Sequence, residues 1–214
     1  MRTIFYVDGF NFYYGLKKQI TIDNKWRESY WVDLVKLFEQ FLGPEDDLIK
    51  VKYFTAQPLN VGKKSRQSAL FKANDLINGE RFEIIRGKYI KKDILCYNCD
   101  THFSKPEEKR TDVNIAVHLL GDCALDKVDK LVLVTADSDL VPPLEFIQKN
   151  FKDKVARVYF PPSNFSNDLK RTSPRGKVTL LKDNFRKFEN AKMENIVYKA
   201  DGKDSASIPA KWII

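Results

Sequence analysis

Five side chains suited to phosphate chemistry follow apolar segments or lie near the start of a predicted helix. An aspartate ends the first apolar run, residues 3–7, and an asparagine follows three positions later. A further aspartate lies at the start of the helix predicted over 111–125, and two more follow the apolar run over 130–135. These candidate catalytic residues are Asp8, Asn11, Asp112, Asp137 and Asp139.

Carboxylates that crowd together repel one another, and one of them takes up a proton unless a cation joins the group. Hard divalent ions such as Mg²⁺ and Mn²⁺ prefer oxygen ligands, and they can align a phosphodiester and activate a water. We therefore predict a Mg²⁺ or Mn²⁺ site held by Asp8, Asp112 and Asp137, directly or through water. Asn11 would position water or a phosphate, and Asp139 would support the site or a second ion.

Each of these acids also has an ordinary structural role open to it. Asp8 or Asp137 alone can cap a helix, and Asp112 can complement a helix dipole. Asp139 can cap the helix predicted to begin at Leu140. The co-location of all the acids at one edge favours the metal site over these separate roles.

The elements that would position these residues alternate between strands and helices. Short apolar runs rich in β-branched and aromatic residues predict strands, and apolar residues at helical spacing predict helices between them. The predicted strands are 3–7, 48–56, 81–90, 130–135 and 154–160, and the predicted helices are 10–18, 32–42, 63–77, 111–125 and 140–149. This alternation predicts an α/β fold with a five-stranded parallel sheet and helices on both faces. Ligand sites in such a sheet lie at its carboxyl edge, where the acids fall.

The composition excludes several other classes of protein. Hydrophobic residues make up 43% of the 214 residues, which is enough for a folded core. No stretch approaches the roughly 20 apolar residues that cross a membrane. The three cysteines, an odd number, do not suit a disulfide scaffold and favour a reducing cytoplasm. Two histidines leave few candidates for a Ser-His-Asp apparatus, and the sequence has no GxGxxG or GxxxxGKS phosphate loop.

A polar insert over 91–110 carries a CxxC motif, Cys96 to Cys99, with the spacing of half a zinc knuckle. His102 is a candidate third ligand for Zn²⁺. A fourth ligand is not evident, because Cys123 lies roughly 16 Å along its helix from the acidic edge, at a rise of about 1.5 Å per residue. A zinc site and a plain turn with reduced thiols therefore both remain open.

Basic residues give the chain a net charge of +8, and residues 149–192 hold twelve basic and four acidic residues. Such a segment beside the acidic edge can hold a phosphate backbone, although any single lysine is more simply a solvated surface residue. Tyr13, Tyr14 and Phe160 are candidates for stacking on bases, with buried packing as the alternative. The residues that we predict to contact RNA are Arg66, Lys109, Lys170, Arg171 and Arg175.

Four ordered segments resemble the NYN domain, a branch of the PIN-like nucleases, and especially its LabA-like bacterial proteins. They are YVDGFNFYYGL (6–16), VKYFTA (51–56), EEKRTDVNIAVHLL (107–120) and LVTADSDLVPPL (133–144). The resemblance implies a Rossmann-like PIN fold with strand order 3-2-1-4-5, which puts the first and fourth strands side by side. It also implies metal-dependent cleavage of RNA phosphodiesters. The family's functional positions fall on Asp8, Asn11, Asp112, Asp137 and Asp139, and Ala136 replaces the usual glycine.

Together these observations predict a catalytic NYN/PIN-like domain over 1–165, with the CxxC insert at 91–110. A basic C-terminal extension over 166–214 follows, and its last twenty residues look like a tail. The predicted function is Mg²⁺- or Mn²⁺-dependent hydrolysis of single-stranded or exposed RNA in the cytoplasm, with no membrane partner and with homo-oligomerisation left open. Two alternatives stay open: an RNA-binding regulatory module with weak or no activity, and a metal-dependent phosphoesterase acting on DNA or nucleotides.

Overall fold

A parallel sheet of six strands forms the centre of the computed structural model, which describes residues 1–96, 98–173 and 176–213. Two antiparallel hairpins lie outside this sheet. In chain order, the strands are β1 (Arg2–Asp8), β2 (Asp47–Thr55), β3 (Phe82–Arg86), β4 (Lys88–Leu95), β5 (His102–Lys109), β6 (Lys130–Val134), β7 (Val155–Phe160), β8 (Thr179–Leu180), β9 (Ile196–Tyr198) and β10 (Ser205–Ser207).

Seven α-helices connect or follow the strands in the described ranges. They are α1 (Gly9–Ile22), α2 (Leu34–Glu39), α3 (Val61–Asn78), α4 (Thr111–Ala124), α5 (Val141–Asn150), α6 (Asn167–Thr172) and α7 (Phe185–Asn190). Short 3₁₀ segments include Asn24–Tyr30 and Ser138–Leu140. None of the helices described here has both the length and the apolar character to span a membrane.

The strand order of the sheet is β3-β2-β1-β6-β7-β8, and every neighbouring pair is parallel. The first five positions confirm the predicted α/β fold and the order that the family resemblance implied. The sixth strand was not predicted, because Thr179–Leu180 has only two residues and follows a polar, basic stretch. It extends the sheet by pairing with the end of β7.

The central strand β1 explains why helices cover both faces of the sheet. Phe5 and Val7 pack into one buried cluster, and Ile4 and Tyr6 pack into the other. Successive side chains of a strand point to opposite faces, so a strand that is apolar throughout must be buried on both. Helices α1, α2, α3 and α7 contribute to the first cluster, and α4, α5 and α6 to the second.

The predicted strand 81–90 is wrong in its extent, because the chain turns at Gly87. β3 ends before this residue, and β4 and β5 then form an antiparallel hairpin. Lys88 pairs with Lys109 at the base of the hairpin, and Leu95 pairs with His102 near its tip. A Cβ at position 87 would lie 2.6 Å from the Thr111 hydroxyl oxygen and 2.7 Å from the Lys109 carbonyl oxygen. Only glycine allows this close approach, which holds the base of the hairpin against the start of α4.

The last twenty residues do not form the tail that the sequence suggested. Strands β9 and β10 pair with each other, and Val197 and Ala206 are buried with Trp31. Trp212 is only 5% exposed and stacks on Tyr30 with ring centroids 5.2 Å apart. Burial of these large rings holds the end of the chain on the body of the protein despite its polar composition.

Candidate metal centre

Three carboxyl groups from distant parts of the chain meet at the carboxyl edge of the sheet. Asp8 ends β1, Asp112 lies in the first turn of α4, and Asp137 follows β6. One carboxylate oxygen from each lies within 4.8 Å of the others, a spacing that suits shared contact with one divalent ion. The strand order explains the meeting, because β1 and β6 are neighbours in the sheet. We call these three residues the acid group.

Asp8 is the buried member of the acid group, and neutral donors hold its carboxylate. It accepts hydrogen bonds from the Thr135 hydroxyl and the Asn11 side-chain amide, each at 2.7 Å. The backbone N–H groups of Phe10 and Asn11 also donate to it, at 3.1 Å, so Asp8 caps α1 as well. The Asp8 side chain therefore caps α1 and also belongs to the acid group.

Thr135 joins two members of the acid group, and the sequence interpretation missed it. Its buried hydroxyl donates to Asp8 and accepts from the Asp137 backbone N–H at 3.0 Å. The Asp137 carboxylate in turn accepts from the Asp139 backbone N–H at 3.0 Å. The available signal was the position of Thr135 between an apolar strand and the first of two aspartates.

The acid group is not neutralised by the chain itself. Burial raises the pKa of Asp8, even though hydrogen bonds from Thr135 and Asn11 work in the opposite direction. Burial, followed by the charges of Asp137, Asp8 and Asp139, raises the pKa of Asp112 to about 6. Throughout the described ranges, no lysine or arginine forms an ion pair with the acid group. A bound cation would relieve this repulsion.

A fourth carboxyl group, Glu108, was not predicted. It lies near the end of β5, is half-buried, and accepts a hydrogen bond from the Thr111 hydroxyl. Burial, with smaller contributions from the charges of Asp8 and Asp112, raises its pKa to about 7. Arg110 adopts a left-handed φ of 80° between the hairpin and α4, a strained conformation for a residue with a side chain. This turn brings Glu108 beside the acid group.

Asn11 and Asp139 lie around the acid group rather than within it. Asn11 donates to Asp8, and its own carbonyl oxygen accepts from the Asn164 side chain at 3.1 Å. Asp139 is exposed, and its charge contributes to the raised pKa of Asp112. Its side chain does not cap the following helix, since the residue at the N-cap of α5 is Leu140 with no side-chain cap.

Two of the predicted RNA-contacting residues, Arg66 and Lys109, lie on either side of α1. Arg66 is half-buried on α3 and hydrogen-bonds with Tyr13. Lys109 is exposed at the end of β5 and pairs with Glu107 at 2.8 Å. Arg66 is therefore the more directly available to an anion entering from the carboxyl edge.

The basic residues of segment 149–192 lie on different elements. Lys170 and Arg171 are exposed on α6, where Arg171 pairs with Asp168 at 3.3 Å. Arg175 lies outside the described residues. Helix α6 packs against the 3₁₀ segment that follows Asp137, whereas Lys154 precedes β7 at the amino edge, where two aspartates pair with it. The charge of this segment is thus divided between the two edges of the sheet.

The residues predicted as zinc ligands occupy the tip of the β4–β5 hairpin. Cys96 and His102 flank the turn and Cys99 lies within it, while Tyr97 lies outside the described residues. In the described part of this turn, Cys96, Cys99 and His102 do not come together as a three-ligand group. The Cys99 N–H donates to the Cys96 carbonyl oxygen at 3.3 Å, as in a tight hairpin turn. The Cys96 and Cys99 thiols lie within hydrogen-bonding reach of each other, so the zinc site and the plain turn both stay open.

Two of the three candidate stacking rings reach solvent. Tyr14 is 44% exposed and Tyr13 is half-buried, both on the first turns of α1. Phe160 is fully buried in the core, so its proposed stacking role was wrong. Its position at the end of an apolar strand is that of an ordinary core residue.

The family model of the NYN domain matches residues 2–176. The chain therefore belongs to the NYN domain family, a branch of the PIN-like nuclease domains. This match confirms the resemblance to the NYN domain that was drawn from the four sequence segments, and membership of the LabA-like branch stays a prediction.

Two further proteins are similar to this chain. One is 6-hydroxy-3-succinoylpyridine 3-monooxygenase HspA of Pseudomonas putida, 28% identical over 191 residues, with 74% of this chain and 59% of that protein covered. The chain thus spans less than two thirds of that relative's length. The other is a crystal structure from Vibrio parahaemolyticus, VPA0982, described as a protein of unknown function. It has a TM-score of 0.56 and 20% identity, covering 85% of this chain and 93% of that one, and shows the likeness of fold alone.

Proposed function

We propose that this protein is a divalent-metal-dependent ribonuclease that hydrolyses RNA phosphodiester bonds at the acid group. The observation that carries the proposal is the meeting of Asp8, Asp112 and Asp137 within 4.8 Å, with no basic side chain paired to them in the described structure. An all-oxygen donor set of this kind suits Mg²⁺ or Mn²⁺ better than a softer metal. The family membership supports a nucleic acid as the substrate.

Some residues of the chain would hold the metal, and others would hold the substrate. A bound Mg²⁺ or Mn²⁺ would align the phosphate, activate a water and stabilise the leaving oxygen. Asp8, Asp112 and Asp137 would hold it, with Thr135 and Asn11 fixing the Asp8 carboxylate beforehand. Such outer hydrogen bonds orient metal ligands and reduce the reorganisation on binding.

Substrate contacts would come from residues around the acid group. Asn11 would position water or a phosphate oxygen, and Asp139 would add negative potential beside the ligands. Arg66, Lys109, Lys170, Arg171 and Arg175 would hold the phosphate backbone of the RNA. The preference for RNA over DNA is supported by the family alone, because no reader of the 2′-hydroxyl is evident in the sequence.

A direct cleavage assay separates the proposal from its alternatives. Labelled single-stranded RNA, DNA of the same sequence and free nucleotides would each be incubated with Mn²⁺, Mg²⁺ or EDTA. We expect cleavage of RNA that requires the metal. Faster cleavage of DNA or nucleotides would instead support a different phosphoesterase. RNA binding without any cleavage would support a regulatory module.

The name of the Pseudomonas relative raises a second candidate, oxygenation of a pyridine ring. The observation that favours it is a cavity lined by aromatic side chains beside the acid group. Such a reaction needs O₂ and an electron donor, whereas hydrolysis needs neither. Consumption of O₂ with a hydroxypyridine and NADH, together with no RNA cleavage in the assay above, would favour this candidate over the ribonuclease.

A further inference from the structure

A cavity of 440 Å³ opens between the start of α1, the start of α3 and the β4–β5 hairpin. Its volume lies within the range of about 300–1,000 Å³ that is typical of ligand sites. The proposed cleavage does not account for its shape or its lining. Its lining is largely apolar and reaches the acidic edge at Gly9 and Glu108, so part of a substrate bound at that edge could enter it.

Aromatic rings line this cavity in an unbroken series. Neighbouring rings lie 5.2–5.9 Å apart between centroids, so that each contacts the next. Two of them come from outside α1 and its neighbouring loop: one lies on β4 of the hairpin and the other on the 3₁₀ segment near the end of the chain. In order, the rings are Tyr89, Phe10, Tyr14, Tyr13, Tyr30 and Trp212. Flat π-faces of this kind suit a planar ring more than an aliphatic chain.

Positive charge is placed on one wall of the cavity. Lys63 and Arg66 lie one turn apart on α3, and both line it. Within the described ranges, neither forms an ion pair with a carboxylate, and the Arg66 side chain hydrogen-bonds with the Tyr13 ring hydroxyl. Such a guanidinium, without an acidic partner and beside an aromatic ring of the protein, suits the phosphate of a ligand whose own planar ring stacks in the cavity.

The cavity and the acid group share a boundary. Gly9, which follows Asp8 directly, and Glu108 both line the cavity. Glu108 is also close enough to Asp8 and Asp112 for their charges to contribute to its raised pKa. A Cβ at Gly9 would lie 2.4 Å from the Tyr53 ring, so the start of α1 packs against β2 more closely than a side chain there would allow. A ligand in the cavity would therefore lie beside the bound metal.

We propose that this cavity holds one unpaired nucleobase of the substrate strand, next to the phosphate that is cut. The base would stack against Tyr14 and the neighbouring rings, and Lys63 and Arg66 would hold its phosphate. This inference rests on the proposed ribonuclease function and narrows its substrate to single-stranded or flipped-out nucleotides. A base held in a Watson–Crick stack cannot enter a side cavity, whereas stacking on protein rings accepts any base type.

Binding of abasic RNAs to the full chain tests the inference. A short single-stranded RNA and a series that lacks the base at one position each would be titrated in EDTA at low salt, with fluorescence anisotropy as the readout. We expect one position to depend strongly on its base, with a loss of roughly 5- to 150-fold in affinity when the base is absent. In Tyr14→Ala, the intact RNA should bind more weakly and most of the penalty at that position should disappear.

Matched variants identify the ring as the cause. Tyr14→Phe keeps the π-face and should behave like the wild type. Tyr198→Ala removes an exposed tyrosine on β9, outside the cavity, and should leave the penalty intact. An equal abasic penalty in the wild type and Tyr14→Ala would overturn the inference. So would RNA that binds with no position-specific penalty, or RNA that does not bind at all.

Failure of this inference is distinguishable from failure of the proposed function, because the binding assay contains no metal. The same RNAs would be incubated with Mn²⁺ in parallel. Cleavage without coupling between Tyr14 and a base would reject the cavity assignment and leave the ribonuclease standing. Coupling between Tyr14 and a base without cleavage would support the cavity assignment and reject the ribonuclease.

Discussion

Two buried carboxylates in this protein, Asp122 and Asp8, have different kinds of hydrogen-bond donors around them. On the α4 face of the sheet, Asp122 accepts from the Lys52 ammonium at 2.6 Å and from the Tyr6 hydroxyl at 2.7 Å. At the carboxyl edge, Asp8 accepts only from neutral groups, chiefly Thr135 and Asn11. The first carboxylate has a cation supplied by the chain, and the second is surrounded by further acids.

This difference distinguishes a closed ion pair from an acidic cluster that is open to a cation. An isolated buried charge is strongly unfavourable, and the chain itself supplies the cation that stabilises Asp122. The acid group has no such partner within the described structure, and two of its members, Asp112 and Asp137, are accessible to solvent. The acid group is therefore arranged to receive a cation from solvent, whereas Asp122 already has its cation in Lys52.

The largest effect should follow from Asp137→Asn, which removes a ligand charge from the acid group. We expect metal-dependent RNA cleavage to fall about 100-fold or more, because the metal contributes several kcal/mol to the reaction. The melting temperature should not fall, since the change relieves repulsion among the acids. Asp75→Asn, an exposed aspartate on α3, is the matched control. Cleavage at the wild-type rate by a folded Asp137→Asn protein would contradict the assignment.

Lys52→Met should act on stability instead of on cleavage. It leaves Asp122 buried without its cation, and we expect a loss of about 3–5 kcal/mol in the free energy of unfolding. Replacing both partners, with Lys52→Met and Asp122→Leu, should recover most of this loss. Lys50→Met, on the same strand but with a weaker pair at 3.5 Å to Glu83, should cost under about 1 kcal/mol. Chemical denaturation measures all three, and a loss as small as that of the control would show that the pair is not structural.

Thr135→Val should lower both the stability of the protein and its affinity for Mn²⁺. The isosteric change removes the hydroxyl that joins Asp8 to the Asp137 backbone, and we expect a loss of about 1–3 kcal/mol in stability. The Mn²⁺ affinity should fall by about 10- to 100-fold, because outer hydrogen bonds orient the ligands. Thr3→Val, at a buried threonine far along β1, should leave the Mn²⁺ affinity unchanged. Normal Mn²⁺ binding by Thr135→Val would show that the hydroxyl does not orient the acid group.

The metal-free protein should lose stability as the pH rises through the range of about 4 to 6. Asp112 has its pKa raised from 3.8 to about 6, so the folded state holds a proton there that the unfolded chain has released. Because Asp112 is exposed, this contribution should stay under about 1 kcal/mol. Burial lowers the pKa of His118, which has the opposite effect on the pH dependence of stability. His118 is present in both the wild type and Asp112→Asn, so its effect cancels when these two proteins are compared. Denaturation from pH 4 to 7 should show a flatter pH dependence in Asp112→Asn, and identical curves would contradict the repulsion.

The smallest effect should come from the basic residues outside both regions. Neutralising Lys170, Arg171 and Arg175 together should flatten the log–log salt dependence of RNA binding by roughly 2, at about 0.7 per phosphate contact. Cleavage at saturating RNA should survive. A control set of exposed lysines elsewhere is Lys36, Lys199 and Lys203. An unchanged slope would mean that the RNA path runs elsewhere, past Arg66 and Lys109.

The sequence was sufficient to predict the acid group because topology alone brings its members together. Every strand-to-helix connection of a parallel sheet lies at one edge, so Asp8 and Asp137 needed no knowledge of side-chain geometry. The adjacency of β1 and β6 came from the family resemblance instead, since periodicity does not specify strand order.

Other features depend on contacts that no local pattern encodes. Thr135 joins the acid group only because its hydroxyl reaches from the end of β6 to Asp8 at the end of the neighbouring strand β1. Glu108 approaches the acids only after Gly87 and Arg110 turn the hairpin back onto α4. Trp212 is buried through packing against residues almost two hundred positions earlier, which a reading of the C-terminal composition could not show.

Calorimetric titration of the metal-free protein with Mn²⁺ shows whether the acid group is a metal site. We expect saturable binding by the wild type, about 100-fold weaker or undetectable binding by Asp112→Asn, and wild-type binding by Asp75→Asn. A wild-type protein that does not bind Mn²⁺ at millimolar concentration would contradict the metal-site assignment. Binding that is equal in the wild type and Asp112→Asn would contradict it too, because the acid group would then not be the site.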